Sequence, residues 1–351
     1  MTSNWMIYGA YGDMGVLIVE QALQRKQRPV LAGRNAAKIR TMAEKYGLEW
    51  RAFEISQAQQ HLTGISLVLN IAGPFSTTSE LLVKACLDAK VHYLDIANEL
   101  PSFQMMKSYD VQARQAGIAL IPGVGFGVIT TDMLSSYVAQ KLRNTVALHI
   151  AMLAVNARSS GAATRTTFDI IRRGGWVRRD GKLIPARLGS HSRKVRFPEG
   201  ERTLILAPLG DLETSYWSTH VPNITTYIET AAQTAPFMGI IMPLLRQLLR
   251  VPAIRHRLEG SGASQSGTAD KVIPAAMVKH SYVWVSAADA AGKQVQAWLQ
   301  MGEGLAFTAA ASVLAVEQTL KDGPCGALSP AMAFGVDFVL NIPGVTRLDT
   351  V

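Results

Sequence analysis

Tyr8-Gly-Ala-Tyr-Gly-Asp-Met-Gly15 is the stretch on which the fold turns. It follows a short apolar run, Trp5-Met6-Ile7-Tyr8. It precedes a segment whose Val16, Leu17, Val19 and Leu23 fall on one helical face. A strand, a glycine-rich turn and a helix in that order open a βαβ unit. Glycine there lets backbone N–H groups and a helix N-terminus approach a pyrophosphate. The spacing is G-x-x-G-x-x-G rather than G-x-G-x-x-G, so position carries as much weight as pattern.

Working outward, Pro29 to Ala32 reads as a second strand and Ala36 to Tyr46 as a second helix. Trp50 to Phe53, Leu67 to Ile71, His92 to Ile96 and Ile118 to Ile121 continue the sheet, with helices at Thr77 to Asp88 and Ser102 to Ala116. This alternation predicts an α/β domain with a doubly wound parallel sheet. After about Asn144 the period changes. Thr145 to Val155 reads as a long strand, followed by a glycine-rich helical stretch. Short strands follow at Lys194 to Phe197, Thr203 to Ala207 and Asn223 to Ile228. Tyr282 to Ala287 and Gln294 to Gln300 form a hairpin through Asp289-Ala-Ala-Gly292, and a helix fits Leu305 to Leu320. The expected division is residues 1–143 for the first domain and 144–303 for an inserted α+β domain. Residues 304–351 are then a segment packing back on the first. Glu259 to Gly267 has the Gly/Ser content of a flexible loop.

The end of the second strand decides the cofactor. An acid about 20 residues past the glycines would bind the ribose 2′-hydroxyl of NAD. Here Gly33-Arg34-Asn35 places a guanidinium, which can fork onto a 2′-phosphate and favours NADP. Asp13 argues the other way unless its carboxylate points outward.

Tyr8 to Gly15, Leu31-Ala-Gly-Arg-Asn35, Asn70-Ile-Ala-Gly-Pro-Phe75, His92-Tyr-Leu-Asp95 with Glu99, and Pro122-Gly-Val-Gly-Phe126 with Asp132 occur in order. Together they resemble the saccharopine dehydrogenase-like oxidoreductases, including their trans-acting enoyl reductase branch. The likeness covers about the first 135 residues and returns over Gly292 to Ala311. It implies an NADP-binding Rossmann domain, an inserted α+β domain and a C-terminal segment returning to the first. It also implies roles. Gly9, Gly12 and Gly15 would hold the pyrophosphate and Arg34 the 2′-phosphate, with Ala10, Tyr11, Asp13, Met14, Gly33 and Asn35 completing the cofactor-binding set around them. Asn70, Ala72, Gly73 and Pro74 would line the ribose and nicotinamide. Asp95, Glu99, Tyr93 and His92 are the candidates for a catalytic proton. Asp132 reads either as a helix N-terminal charge or as a substrate contact.

Tyr137-Val-Ala-Gln-Lys141 offers another reading. Y-x-x-x-K is the spacing of short-chain reductases, and Asn70-Ile-Ala-Gly73 resembles their N-x-A-G turn. Position 124, where a serine would be wanted, is Val. A redox-inactive NADP-binding or membrane-associated partner protein is the remaining alternative.

Composition bounds the rest. The chain has 351 residues, 48% hydrophobic and 17% charged, which excludes disorder as its overall state. Two cysteines, Cys86 and Cys325, make no disulfide framework, and no Cys/His cluster suggests a metal. No signal-peptide pattern opens the sequence, so a reducing cytoplasm is the expected compartment. The net charge is +9, and twelve basic residues against four acids fall between Arg158 and Arg202. That stretch lacks interleaved aromatics, so no nucleic-acid partner is expected. An anionic or acyl-linked small-molecule substrate fits it better. Pro236 to Leu249 is very apolar but too short to span a bilayer, and Pro243 and Arg246 interrupt it. With Arg250, Arg255 and Arg257 beyond it, peripheral membrane contact, a substrate cover and a homodimer face all stay open.

Overall fold

In the computed structural model the described residues are 4–154, 171, 174–248 and 280–351. The chain forms two units. One comprises residues up to Met133 together with Leu305–Val345, the other Leu134–Gly304 together with Thr346–Val351.

The first unit is built on a seven-stranded, all-parallel sheet. In chain order it runs β1 (Trp5–Tyr8), α1 (Asp13–Gln24), β2 (Val30–Gly33), α2 (Ala36–Tyr46), β3 (Trp50–Ala52), β4 (Leu67–Asn70) and α3 (Phe75–Ala89). There follow β5 (His92–Asp95), α4 (Leu100–Ser108), α5 (Asp110–Ala116), β6 (Ala119–Ile121) and α6 (Phe126–Gln140), which starts here and ends in the other unit. The sheet order is β15-β6-β5-β4-β1-β2-β3, where β15 is Gly326–Ala327. Strands β1 and β4 are buried at every position, as continuous apolar runs in a doubly wound sheet must be. The order reverses between β1 and β4, and such a switch point leaves a crevice beyond the strand ends.

The helix expected over Ser102 to Ala116 is two helices. The chain bends at Tyr109, whose N–H reaches only to Met106, and Asp110 then accepts the backbone N–H of Ala327. That contact seats β15, a two-residue strand with no pattern of its own. Asp132 is not at a helix N-terminus on α6. It is buried, and its Oδ2 accepts from Ala331 N at the start of α10 (Pro330–Phe334), following α9 (Gly304–Asp322).

The second unit is a mixed nine-stranded sheet. Its strands are β7 (Thr145–Leu153), β8 (Gly175–Arg179), β9 (Lys182–Ala186), β10 (Arg193–Phe197), β11 (Gly200–Leu206), β12 (Asn223–Thr230), β13 (Ser281–Asp289), β14 (Gln294–Met301) and β16 (Thr346–Leu348). Its main path is β10-β11-β12-β7-β13-β14-β16, with β8 and β9 as a hairpin beside β12. β7 and β12 run parallel; the other pairs are antiparallel. The β13–β14 hairpin forms as expected, with Asp289 accepting the N–H groups of Ala291 and Lys293 across its turn. Two helices complete the described part, α7 (Asp211–Thr219) and α8 (Ala235–Leu248). One face of the sheet buries Trp284, Trp298, Tyr282, Tyr227, Phe197 and Leu204 in one cluster. The rings of Phe197 on β10 and Tyr282 on β13 lie 6.0 Å apart although three strands separate them in the sheet. The sheet therefore curls around its aromatic face.

The basic stretch is not one open surface. Arg178 is buried against Glu213 at 2.9 Å and stacks on Tyr216. Lys194 pairs with Glu201 and Arg202 with Glu229. Two of these acids, Glu213 and Glu229, lie outside the stretch that carries the excess. Arg158, Arg165, Arg172 and Arg173 lie outside the described residues, as do Arg250, Arg255, Arg257, the stretch after Val155 and the loop at Glu259 to Gly267.

Candidate functional site

The strand register gathers the motifs at one edge. Tyr8 pairs with Ala32 and Asn70, and Asn70 with Asp95, so the loops after β1, β2, β4 and β5 open from the same end of the sheet.

The first loop is held down by its own backbone. Gly9 N and Ala10 N both donate to Ala32 O, and Gly12 N donates to Gly9 O. Gly9 has φ +96°, and a Cβ there would come within 2.9 Å of Ala72 N. At Gly15 a Cβ would meet Ala10 O at 2.0 Å. These two glycines let α1 pack hard against the loop, and its first-turn amides at Asp13, Met14 and Gly15 have no intrahelical acceptors. Positive charge from the helix end collects at the same place. Asp13 is exposed, a first-turn acid facing solvent, so the objection to it loses force. Ala10 is buried and contributes packing.

Beyond β2, Arg34 is exposed, and no carboxylate or hydrogen-bond partner holds it among the described residues. Its neighbours are committed. Asn35 caps α2, its Oδ1 accepting from Lys38 N at 3.0 Å. A Cβ on Gly33 would be 2.6 Å from the Tyr11 ring, so Gly33 is small because Tyr11 lies across it. Sequence spacing does not reveal that Tyr11 bridges the first loop to the second strand.

After β4, Asn70 is fully buried. Its Oδ1 accepts from Ala72 N, and its Nδ2 donates to Tyr93 Oη at 3.0 Å. It shapes the turn to Ala72, Gly73 and Pro74, of which Gly73 and Pro74 are exposed. Tyr93 Oη in turn donates to Asp95 Oδ2 at 2.8 Å. Asp95 also accepts from Ala97 N, Gly123 N and Ser79 Oγ. Burial pushes the Asp95 carboxyl up to about 6, with those donors pulling it back. Burial also raises the Tyr93 hydroxyl well above its ordinary value, assisted by the Asp95 charge.

Tyr93 and Asp95, expected as proton donors, are held inside the fold. Both are 0% exposed, and their polar atoms are spent on each other, Asn70 and two backbone amides. They fix the turns around the crevice. His92 stands at the opposite end of β5, where its Nδ1 accepts from Ala119 N. Burial lowers its pKa, so it is a neutral strand residue. Glu99 differs. It is partly exposed, its Oε2 accepts from Ser76 N at the start of α3 at 2.8 Å, and its Oε1 has no partner among the described residues.

Tyr137 and Lys141 do not form a short-chain reductase pair. The Tyr137 hydroxyl meets both oxygens of Asp349 at 3.1 Å, and Lys141 Nζ sits 2.8 Å from Oδ1. Arg347 stacks on the Tyr137 ring at 3.6 Å. All four belong to the second unit, not to the parallel sheet that carries the glycine loop.

A doubly wound parallel sheet, a glycine cradle at a helix N-terminus and an uncompensated arginine after β2 define a dinucleotide-binding fold suited to a 2′-phosphate. Residues 5–121 match the family model of the saccharopine dehydrogenase NADP binding domain. Among curated proteins, the chain is 29% identical over 180 residues to a carboxyaminopropylagmatine dehydrogenase of Synechocystis, covering 47% of this chain and 44% of that one. It is 28% identical over 156 residues to a probable mitochondrial saccharopine dehydrogenase-like oxidoreductase of Arabidopsis thaliana, covering 37% and 33%. The matches thus span less than half the length of these relatives. Among solved structures, apo saccharopine dehydrogenase (L-Glu forming) of Saccharomyces cerevisiae superposes with a TM-score of 0.62 at 12% identity, over 99% of this chain and 100% of that one. That likeness is one of fold.

Proposed function

We propose that the chain is an NADPH-dependent oxidoreductase that reduces a carbonyl, imine or enoyl carbon of a small, anionic or acyl-linked substrate. The observation that carries this reading is Arg34. A guanidinium without a counter-charge, at the strand end where the 2′-phosphate of NADP would lie, has no evident structural task. Bound there, NADPH supplies the hydride, so the chain must only bind, orient, exclude water and handle a proton. Gly9, Gly12 and Gly15 with the first-turn amides hold the pyrophosphate, and Arg34 the 2′-phosphate. Gly73 and Pro74 form the exposed rim beyond β4. Tyr93, Asp95 and Asn70 position that rim. Glu99 handles the proton, because it is partly exposed beyond β5 and its Oε1 has no partner among the described residues. The Synechocystis relative, named for an agmatine derivative, supports the imine arm over the enoyl arm. A cytoplasmic setting agrees with two free cysteines, one buried and one exposed.

The test is titration with both nicotinamide cofactors. Arg34→Gln is expected to weaken NADPH binding by about ten- to a hundred-fold and to leave NADH within about three-fold. Equal losses for the two would refute the assignment. NADPH binding without turnover across carbonyl, imine and enoyl panels would return the chain to the redox-inactive alternative.

A second reading, compatible with the first, concerns α8. Phe237, Ile240 and Leu244 are 59%, 62% and 63% exposed, and Ile241 and Leu248 extend the same helical stripe. No described helix is long and apolar enough to cross a membrane. An amphipathic helix of this kind suits an interface, either a membrane surface or a second copy in a homodimer. A relative named lipid droplet localized protein, from Caenorhabditis elegans, supports the membrane choice at 26% identity over 146 residues.

A further inference from the structure

We infer that the curled face of the second sheet binds a small organic anion with a flat apolar body, such as an aromatic or conjugated carboxylate. Arg193, in the cavity wall, takes the charge, Arg179 adds positive field from the same face, and Trp284 and Trp298 wall the body.

A cavity of about 310 Å³ opens there between edge strand β10 and the β13–β14 hairpin, lined among others by Arg193, Trp284, Gln296 and Trp298. This is the lower end of ligand-site volumes, which sets the ligand as small. The Arg193 guanidinium lies 5.2 Å from the Trp284 ring centre. The guanidinium also hydrogen-bonds the Tyr227 hydroxyl, and stacked on an indole it keeps its remaining edge donors for a carboxylate. Arg179 donates to Thr225 Oγ1 from both terminal nitrogens. Thr225 pairs in register with His149, whose ring meets Tyr227 Oη at 3.1 Å.

Neither guanidinium has a carboxylate partner among the described residues. The nearby acids are committed elsewhere: Glu229 to Arg202, and Glu199 to His280 and the Tyr282 hydroxyl. Burial, then Arg193 and Arg179, press the His149 imidazole down to about 4, so it adds no charge of its own. Trp298 Nε1, in the cavity wall, is buried with no acceptor among the described residues. Two half-buried cations and an orphaned donor on one face are costly alone. An anion compensates the cations, and a flat body fits against the indole wall of the cavity.

Calorimetry on the full chain at fixed ionic strength tests this, with benzoate, benzyl alcohol and inorganic phosphate as probes. Benzoate should bind at least about ten-fold tighter than benzyl alcohol, which lacks the charge, and than phosphate, which lacks the flat body. Arg193→Gln should raise the benzoate Kd by about ten-fold or more, and Arg179→Gln should weaken it in the same direction. Circular dichroism confirms folding, and if one variant does not fold the other carries the test. Arg34→Gln, in the first unit, should leave benzoate binding unchanged. Benzoate that does not bind, phosphate that binds as well as benzoate, or affinity unchanged in the folded arginine variants overturns the proposal.

Discussion

Replacing Asp95 by asparagine should abolish a pH dependence of stability that the native chain carries. Asp95 is fully buried and accepts four hydrogen bonds, from Tyr93 Oη at 2.8 Å, Ala97 N at 3.0 Å, Gly123 N at 3.1 Å and Ser79 Oγ at 3.3 Å. None of these donors is charged, so the carboxylate is stabilised by dipoles alone. Burial lifts its pKa from 3.8 to about 6. A folded-state value above the unfolded one means that the fold binds the proton more tightly. The stabilising contribution is then complete below pH about 4 and is lost as pH rises through about 6. At 1.36 kcal/mol per pH unit, that gap corresponds to about 3 kcal/mol. The Asp95→Asn side chain cannot titrate. Its carbonyl oxygen still serves Ala97 and Gly123, but its amide faces two hydroxyls, at a cost of about 1–3 kcal/mol. The assay is urea unfolding followed by far-UV circular dichroism at several pH values from about 4.5 to about 7.5. The native chain should lose about 2 of those kcal/mol relative to Asp95→Asn across that range, so the two converge near neutrality. Parallel pH curves for the two proteins would refute the reasoning.

Two further outcomes bear on the rejected and the open readings. Tyr137→Phe should leave kcat/KM within about two-fold, with a stability loss of about 1 kcal/mol or less from the exposed contact to Asp349; a loss of several orders in turnover would reinstate a short-chain mechanism. Ile240→Asp combined with Leu244→Asp should abolish binding to anionic vesicles in flotation if α8 lies on a membrane, or convert a dimer to monomer in sedimentation if it is a homodimer face; no change in either would show that the α8 stripe serves neither.

The first unit is legible in sequence because its signals are local. Apolar runs such as Trp5 to Tyr8 and Leu67 to Asn70 can only be buried strands when bounded by glycine turns, and Gly9, Gly15 and Arg34 stand where a dinucleotide fold needs them. What local pattern does not carry is long-range. Gly326-Ala327 becomes a strand only because β6 and Asp110, the latter 217 residues from Ala327, supply its partners. The β8–β9 hairpin, Gly175 to Ala186, reads in sequence as part of a basic stretch, since Arg178, Arg179 and Lys182 obscure its alternation. Its buried partner Glu213 sits on α7, a helix that composition does not mark. At the candidate site, chemistry is legible as residue type but not as exposure. Tyr93, Asp95 and Glu99 look equivalent in sequence, and solvent access separates them.

The chain passes from one unit to the other at residues 133–134, back at 304–305, and returns at 345–346. The last passage delivers β16 to the outer edge of β14, pairing Leu348 with Trp298 and Thr346 with Gln300. Neither unit is therefore a contiguous piece of sequence, and a cut at 345 is not a harmless trim. It would leave Gln294 to Met301 with a bare row of backbone donors and acceptors, inviting self-association, and it would remove the Asp349 carboxylate from Lys141. The final six residues act as a clasp on a sheet whose other strands lie far upstream. Shortened or tagged forms of this protein should be designed around that clasp.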